Sequence, residues 1–375
     1  MKDLSLRLAK DLDTVVLVPR VPDAPARESI DGMRVERFAY FPRRWESLAD
    51  GAILENLRAN RWQWLQVIPF VLAESLNLRR LIREHRPDVL HVHWIVPQGV
   101  AALLVARRVP WVVTTLGGDV YALRDSFSQR LKRAILRRAR SVTTMNNEMR
   151  AQLIDAGASA AETYVQPLGA DIERIQTQVG DDEPIPGRLL FVGRLVEKKG
   201  AAILIEAVRR LPPGTDWSLE VIGDGPLRVR LEELAAGLPV EFSGSASRDD
   251  LARAYGRSSV VVVPSVPAAS GDQDGLPTVL LEAMGAGRAI VASEIAGIDE
   301  AVTNQETGLL VPPNDADALT AALATLLEDA ALREKLGAAA AAHSKAFSFE
   351  ACSQRFLELL VRAADHDVTD DHRRD

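Results

Sequence analysis

A single cysteine, Cys352, stands in 375 residues. No disulfide can form within the chain, and a reducing compartment is the default. Histidine is scarce, with 6 in all. Apart from His91 and His93 they are scattered, at His85, His343, His366 and His372. A metal site needs three or four placed ligands, and no second cluster supplies them. Long apolar runs are missing, so no segment has the unbroken length of a membrane span. Residues 1–13 are amphipathic and charged, unlike a secretory leader. Basic residues are outnumbered, 45 against 52 acidic, for a net charge of −7. A dedicated nucleic-acid binder is usually basic, so no nucleic-acid partner is expected. The location expected from these absences is cytoplasmic.

What is present suits a two-domain α/β protein. Hydrophobic residues make up 47% and charged residues 26%, enough apolar material for two cores. Helical spacing over 3–12 precedes short strands at 14–18 and 33–40. Strands at 87–94, 111–115, 141–145 and 163–165 then alternate with helical segments. Residues 176–187 are polar and rich in Pro and Gly, as in a linker. After them the βα rhythm restarts, with strands at 189–192, 219–222, 240–242, 259–263, 289–292 and 308–311. The reading is a first domain over 1–175, a linker over 176–187 and a second domain over 188–346. A last helix follows over 347–364, and then a charged, disordered tail over 365–375.

The chain is organised around residues 271–284. An apolar run ends at Pro264-Ser265, a loop carries Asp274-Gly275-Leu276-Pro277-Thr278, and a helix follows to Gly285. Pro277 fits the first helical position, where its missing N–H costs nothing. A helix entered through a Gly-containing loop offers free N–H groups and a positive dipole end, a natural phosphate site. Asp274 at the loop and Glu282 in the helix add acceptors for hydroxyl groups, which together point to a sugar nucleotide. A surface role for these acids accounts for them equally well. Arg194 lies just past a strand end and Lys199 five residues on. A guanidinium and an ammonium suit a diphosphate and its departing charge. Solvated loop charges are the plain alternative.

In the first half, His93 ends one strand, and Gly118-Asp119 follows the next. Ligands gather at strand ends of parallel sheets, so His93 and Asp119 are candidates for one cleft, against a core role for His93. Residues 45–73 hold Trp45, Trp62, Trp64 and Phe70 among arginines, and read as a packed helical insertion or as a lipid-facing element. Residues 127–140 carry Arg130, Lys132, Arg133, Arg137, Arg138 and Arg140 with no acid. They form either an anionic-membrane surface or a solvated face.

As a set, Gly193-Arg194-Leu195, Lys198-Lys199-Gly200, Gly223-Asp224-Gly225-Pro226, Asp274-Gly275-Leu276-Pro277, Glu282-Ala283-Met284, Gly297-Ile298, Glu300 and Gly308-Leu309-Leu310-Val311 resemble the retaining nucleotide-sugar glycosyltransferases of group 1 (family 4). His91-Val92-His93-Trp94, Gly118-Asp119 and Pro167-Leu168-Gly169-Ala170-Asp171 extend the resemblance to the first half. It implies a GT-B fold, two Rossmann-like βαβ domains facing a cleft, with the last helix crossing back to the first domain. Arg194 and Lys199 would hold the donor diphosphate, Glu282 the ribose, and 274–278 the sugar and phosphates. Gly193, Gly223 and Gly244-Ser245 would lie near the nucleotide, while His93, Gly118 and Asp119 would face the acceptor. Asp274, Arg194, Lys199, Asp119 and His93 are the catalytic candidates. The resemblance implies a metal-free reaction without cofactor, passing a hexose to a glycan or lipid-linked acceptor. Three departures stand out. Asp274 replaces the family's glutamate, Leu116 stands where relatives often have His, and the family's first strand and glycine-rich loop do not precede 1–18. A non-catalytic sugar-nucleotide binder is therefore an alternative. A nicotinamide dehydrogenase would carry Gly-x-Gly-x-x-Gly, which neither half does.

Overall fold

The computed structural model describes residues 2–49, 53, 56–57, 60–121, 125–179 and 183–371, with backbone only for 366–371. The chain forms two compact units. The first comprises Met1–Thr144, Arg150–Gln166 and Ser353–Asp375, and the second Met145–Met149 and Pro167–Cys352.

The first unit holds two sheets. In one, β3 (Met33–Phe38) lies between β1 (Val15–Pro19), parallel to it, and β2 (Arg27–Ile30), antiparallel. β2 is unforeseen, because Arg27-Glu28-Ser29-Ile30 carries no apolar alternation. The other sheet is parallel, in the order β4 (Leu90–His93), β5 (Trp111–Thr114), β6 (Ser141–Thr144), β7 (Thr163–Val165). β5 and β6 are buried along their whole length, as strands covered on both faces must be. Their hydroxyls pair internally, Thr114 Oγ1 with Thr143 Oγ1 at 2.8 Å and Thr115 Oγ1 donating to the Thr143 carbonyl at 3.0 Å. The aromatic stretch divides. Phe70 is buried edge-on against Phe38 and Tyr40, whereas Trp45, Trp62 and Trp64 are exposed.

The second unit is built on one six-stranded parallel sheet, β10-β9-β8-β11-β12-β13. The strands are β8 (Arg188–Val192), β9 (Ser218–Ile222), β10 (Val240–Gly244), β11 (Val260–Val263), β12 (Ala289–Ser293) and β13 (Leu309–Val311). Successive side chains of a strand point to opposite faces. Accordingly Val260 and Val262 join one core with helices Ala201–Arg209 and Ala316–Glu328. Val261 and Val263 join the other, with helices Ile172–Val179, Arg248–Arg257 and Thr278–Gly285. Val179, in the expected linker, is a core residue of this unit, and so are Ile172 and Ile175 at the end of the expected first domain, all on helix Ile172–Val179. Residues 180–182 lie outside the described set.

The last helix, Phe349–Asp371, starts in the second unit, where the Phe349 N–H donates to the Ala170 carbonyl at 2.9 Å. From Ser353 on it belongs to the first unit, burying Phe356, Leu360 and Ala363. It is helical to Asp371, beyond the expected end at Ala364. Residues 372–375 of the expected tail lie outside the described set.

Candidate functional site

β8 comes first in the second sheet, yet it lies between β9 and β11. The chain steps outward through β9 to β10, then returns to the other side of β8. That reversal is a topological switch point, where loops leaving the carboxyl ends diverge and open a binding crevice. Every residue expected to touch the donor lies at the end of β10, on the loops after β8, β9, β10 and β11, or on the helix that follows β11. The strand ends approach closely. Gly223 has φ +139°, and a Cβ there would sit 1.9 Å from the Gly193 carbonyl oxygen; no other residue fits. The Gly223 N–H donates to the Gly244 carbonyl at 2.8 Å, while Ser245 is exposed.

Lysines from the loop after β8 meet carboxylates from the loop after β11. Lys199 Nζ donates to Asp274 Oδ2 at 2.6 Å. Lys198 Nζ lies 3.4 Å from Asp274 Oδ1 and 3.2 Å from Asp272 Oδ2. Burial pushes the Asp274 carboxyl up, but the ammonium groups of Lys199 and Lys198 outweigh it and hold the acid below its ordinary range. For Lys198, burial works against the charge, and Asp274 and Asp272 more than restore it. The sequence reading gave Lys198 no role and did not foresee this pairing. Arg194 is exposed on the same loop.

Helix Thr278–Gly285 follows. Pro277 is its N-cap, in extended conformation, rather than its first helical residue, and it makes no side-chain cap bond. Glu282 accepts a hydrogen bond from Tyr255 Oη at 3.0 Å. Burial raises the Glu282 carboxyl, partly offset by the Tyr255 bond and by Arg248 and Arg174. Burial, then the charge of Glu282, drives the Tyr255 phenol well above its usual value. Tyr255 escaped the sequence reading, since nothing in its helix marks it as a partner of Glu282.

Gly275 is held by residues from another part of the chain. Asn146 Nδ2 donates to its carbonyl at 2.6 Å, and Asn146 Oδ1 accepts from the Met149 N–H at 2.7 Å. Asn147 binds both oxygens of Glu300, at 2.7 and 2.6 Å. A Cβ on Gly275 would meet Met145 and Met149 within 3 Å. Asn146 and Asn147 follow the end of β6, so the strand-end rule that singled out His93 would have found them too.

His93, Gly118 and Asp119 belong to the first unit. Asp119 is buried, and both its oxygens are occupied, by the N–H groups of Ile95 and Leu116 at 3.0 Å each. The expected catalytic role did not foresee these two bonds. Asp119 ties together the loops after β4 and β5, and burial, only partly offset by these bonds, raises its carboxyl. His91 is committed to Thr114 Oγ1 at 2.7 Å, and burial lowers it to about 4. The His93 ring lies tilted against that of His91, centroids 4.1 Å apart; its pKa is lowered well below the usual value by burial and by His91, and Nδ1 is buried without a partner. Gly118 opens the short helix Gly118–Tyr121. In the basic run, Lys132 is buried against the Val120 carbonyl, and Arg133 and Arg138 bind backbone carbonyls. Phe127, Arg130 and Arg137 remain exposed.

The chain resembles known proteins along its length. Residues 186–329 match the glycosyl transferases group 1 and residues 2–169 the glycosyl transferase 4-like domain. Sulfoquinovosyl transferase SQD2 of Arabidopsis thaliana is 28% identical over 84% of this chain and 64% of its own length, so the chain spans less than two thirds of that relative. Glycogen synthase of Mycobacterium tuberculosis is 31% identical over 72% of this chain and 68% of its own. HepE of Anabaena, solved in complex with UDP and glucose, superposes with a TM-score of 0.68 at 20% identity, covering 96% of this chain and 94% of that one. Its likeness speaks to the fold, and the switch-point sheet of the second unit agrees with it. The chain belongs to the group 1 glycosyltransferases and has their two-domain, Rossmann-like GT-B fold.

Proposed function

We propose that the chain is a retaining hexosyltransferase, taking its sugar from a nucleoside diphosphate sugar and passing it to a glycan or lipid-linked acceptor in cell-surface polysaccharide or glycolipid synthesis. One observation carries the reading: Lys199 and Asp274 meet at the switch point beside a helix start whose N-cap, Pro277, makes no side-chain cap bond. Without donor, the lysines are neutralised by their carboxylates. An incoming diphosphate takes over Lys199 and Lys198, with Arg194 and the first N–H groups of the helix as further donors. Asp274, released, turns to the hydroxyls of the sugar, and Glu282 accepts from the ribose. Gly193, Gly223, Gly244, Ser245, Gly275, Leu276, Pro277 and Thr278 shape the backbone around the nucleotide.

In the transfer, the bond from the anomeric carbon to the phosphate oxygen breaks and a bond to the acceptor oxygen forms on the same face. The acceptor's proton passes to the departing phosphate oxygen. Lys198, Lys199, Arg194 and the helix dipole stabilise the charge that develops there, so the reaction is proposed to need no metal or other cofactor. His93 and Gly118 lie on the acceptor side. HepE, solved with UDP and glucose and also with UDP-glucose, supports a nucleotide-sugar donor. The proposed location is cytoplasmic, peripheral on the inner membrane face. Of residues 127–140, Phe127, Arg130 and Arg137 are exposed for an anionic surface, and Arg133 is exposed but donates to the Ala156 carbonyl.

Nucleotide release from a panel of nucleotide sugars tests the reading, with Glu282→Ala and Arg194→Ala alongside. Release that needs Glu282 upholds it. Arg194-dependent binding in calorimetry without any release leaves a sugar-nucleotide binder instead, and no binding at all removes both.

A further inference from the structure

The helix Trp64–His85 buries Phe70, Glu74, Ser75 and Leu81. On its opposite face stand Leu65, Ile68, Leu72 and Leu76, each between 54% and 70% exposed. Steps of three, four and four residues place them on one line along a helix. Single exposed apolar residues need no explanation, but a continuous stripe marks an interaction surface. Trp62 and Trp64, both more than half exposed, sit at its amino end. Trp45, also exposed, joins them there, because its segment is tied to the helix start by Gln63 Nε2 donating to Ser47 Oγ at 3.2 Å and by the Ser47 N–H donating to Gln66 Oε1 at 3.2 Å.

Arginines bracket the stripe. Exposed Arg61 precedes it, exposed Arg79 and Arg83 continue its line, and exposed Arg86 caps the helix end. Among the described residues, no exposed acid shares that line. Glu74 is buried on the inner face, and Glu84 points elsewhere and is bound by Arg80.

We infer that this face docks on an anionic lipid surface, with the helix lying in the plane of the interface. An apolar stripe sinks to the acyl boundary, tryptophans settle at headgroup depth, and arginines meet lipid phosphates. No described helix is long and apolar enough to cross a membrane, so this helix lies on the bilayer and does not span it. The arginines argue against a second copy as occupant. Antiparallel self-pairing sets Arg61 against Arg79 and Arg83, parallel pairing sets each against itself, and neither brings a balancing acid. This face carries the stronger case over residues 127–140, whose Lys132 is buried and whose Arg133 and Arg138 are bound to the protein's own carbonyls. Vesicle binding needs no sugar nucleotide, so the inference can fail while the transferase reading stands, and the reverse.

The test is co-sedimentation of the full chain with phosphatidylglycerol–phosphatidylcholine vesicles and with phosphatidylcholine alone. The chain is compared with Ile68→Gln/Leu72→Gln, Arg79→Glu/Arg83→Glu and Arg130→Glu/Arg137→Glu. All these side chains are solvent-facing, and thermal unfolding checks that each variant folds. The expected result is binding to the anionic vesicles that salt weakens, reduced about tenfold or more by either of the first two variants and changed less than about twofold by the third. Absence of binding, equal binding to neutral vesicles, or binding indifferent to the first two variants overturns the inference. So does loss confined to the third variant, or a dimer in sedimentation that Ile68→Gln/Leu72→Gln abolishes without any vesicle binding.

Discussion

Asn146 Nδ2 and the carbonyl oxygen of Gly275 are 2.6 Å apart, joining residues 129 positions apart in sequence. In a trans peptide the C=O and the next N–H point in opposite directions. By fixing the Gly275 carbonyl, Asn146 therefore fixes the heading of the Leu276 N–H at the entrance to the helix proposed to face the phosphates. Asn146→Ala leaves a buried carbonyl unpaired, at a cost of about 1–3 kcal/mol. The donor dissociation constant should rise about tenfold, since 1.4 kcal/mol is one decade. Asn146→Asp should do worse at neutral pH, because it sets a carboxylate against that carbonyl. Thermal unfolding and donor calorimetry check both, and wild-type values in the alanine variant would remove the clamp from the account.

The exchange of partners at Lys199 makes a two-sided prediction. Lys199→Ala should lower kcat/KM by roughly 10²–10³, the scale seen when one preorganised donor to developing charge is lost. Asp274→Asn should move two quantities in opposite directions. Nucleoside diphosphate should bind more tightly, because the lysines no longer have to leave a carboxylate, while sugar transfer falls. Calorimetry with UDP beside a turnover assay reads this, and weaker UDP binding in Asp274→Asn would refute the exchange.

Tyr255→Phe removes the hydroxyl that favours ionised Glu282. Burial already raises that carboxyl and the tyrosine bond opposes the rise, so the variant should raise it further. The acid limb of the kcat/KM profile should then move to higher pH, with a loss of about 1 kcal/mol in donor binding from the missing hydrogen bond. A profile that keeps its acid limb in place would separate Glu282 ionisation from donor binding.

Glu74 sets a pH dependence of stability far from the donor loops in sequence. Burial raises its carboxyl to about 8. Between its unfolded and folded values the folded chain holds a proton that the unfolded chain has released, so its stabilising effect is full at low pH and fades as pH climbs towards 8. His91, lowered to about 4 by burial, acts oppositely, losing stability as pH falls below about 6.5. The two overlap in acid, which leaves pH 6.5–8 as the window in which Glu74 is seen without His91. There stability should fall by up to about 1.4 kcal/mol per pH unit. Glu74→Gln should be the more stable at pH 8 and largely lose this slope, as thermal unfolding across the window will show.

The parts of the site legible in sequence are those where the backbone demands one residue type. Gly223 must be glycine because the Gly193 carbonyl leaves no room for a Cβ, and Pro277 marks a helix start. Strand ends were legible for a similar reason, since short buried β-strands such as β11 are continuous valine runs. Partnerships were not. Nothing local to Lys199 names Asp274, nothing near Tyr255 names Glu282, and nothing local to Asp119 names its two main-chain donors. These depend on which loops the sheet order brings together, and that order is set by packing across the whole unit. β2 was missed because its pairing with β3 needs no apolar pattern.

The second unit draws its residues from two separate stretches, Met145–Met149 and Pro167–Cys352. It therefore cannot be cut from the gene as one uninterrupted segment. A fragment started at Pro167 would carry the whole six-stranded sheet, every lysine and carboxylate of the switch point and both core clusters that cover the sheet. It would still lack Asn146, and with it the bond that aims the loop proposed to hold the donor. Recombining halves of two relatives at the midpoint would inherit the same hidden dependence, with the aim of one parent's loop left to the other parent's asparagine.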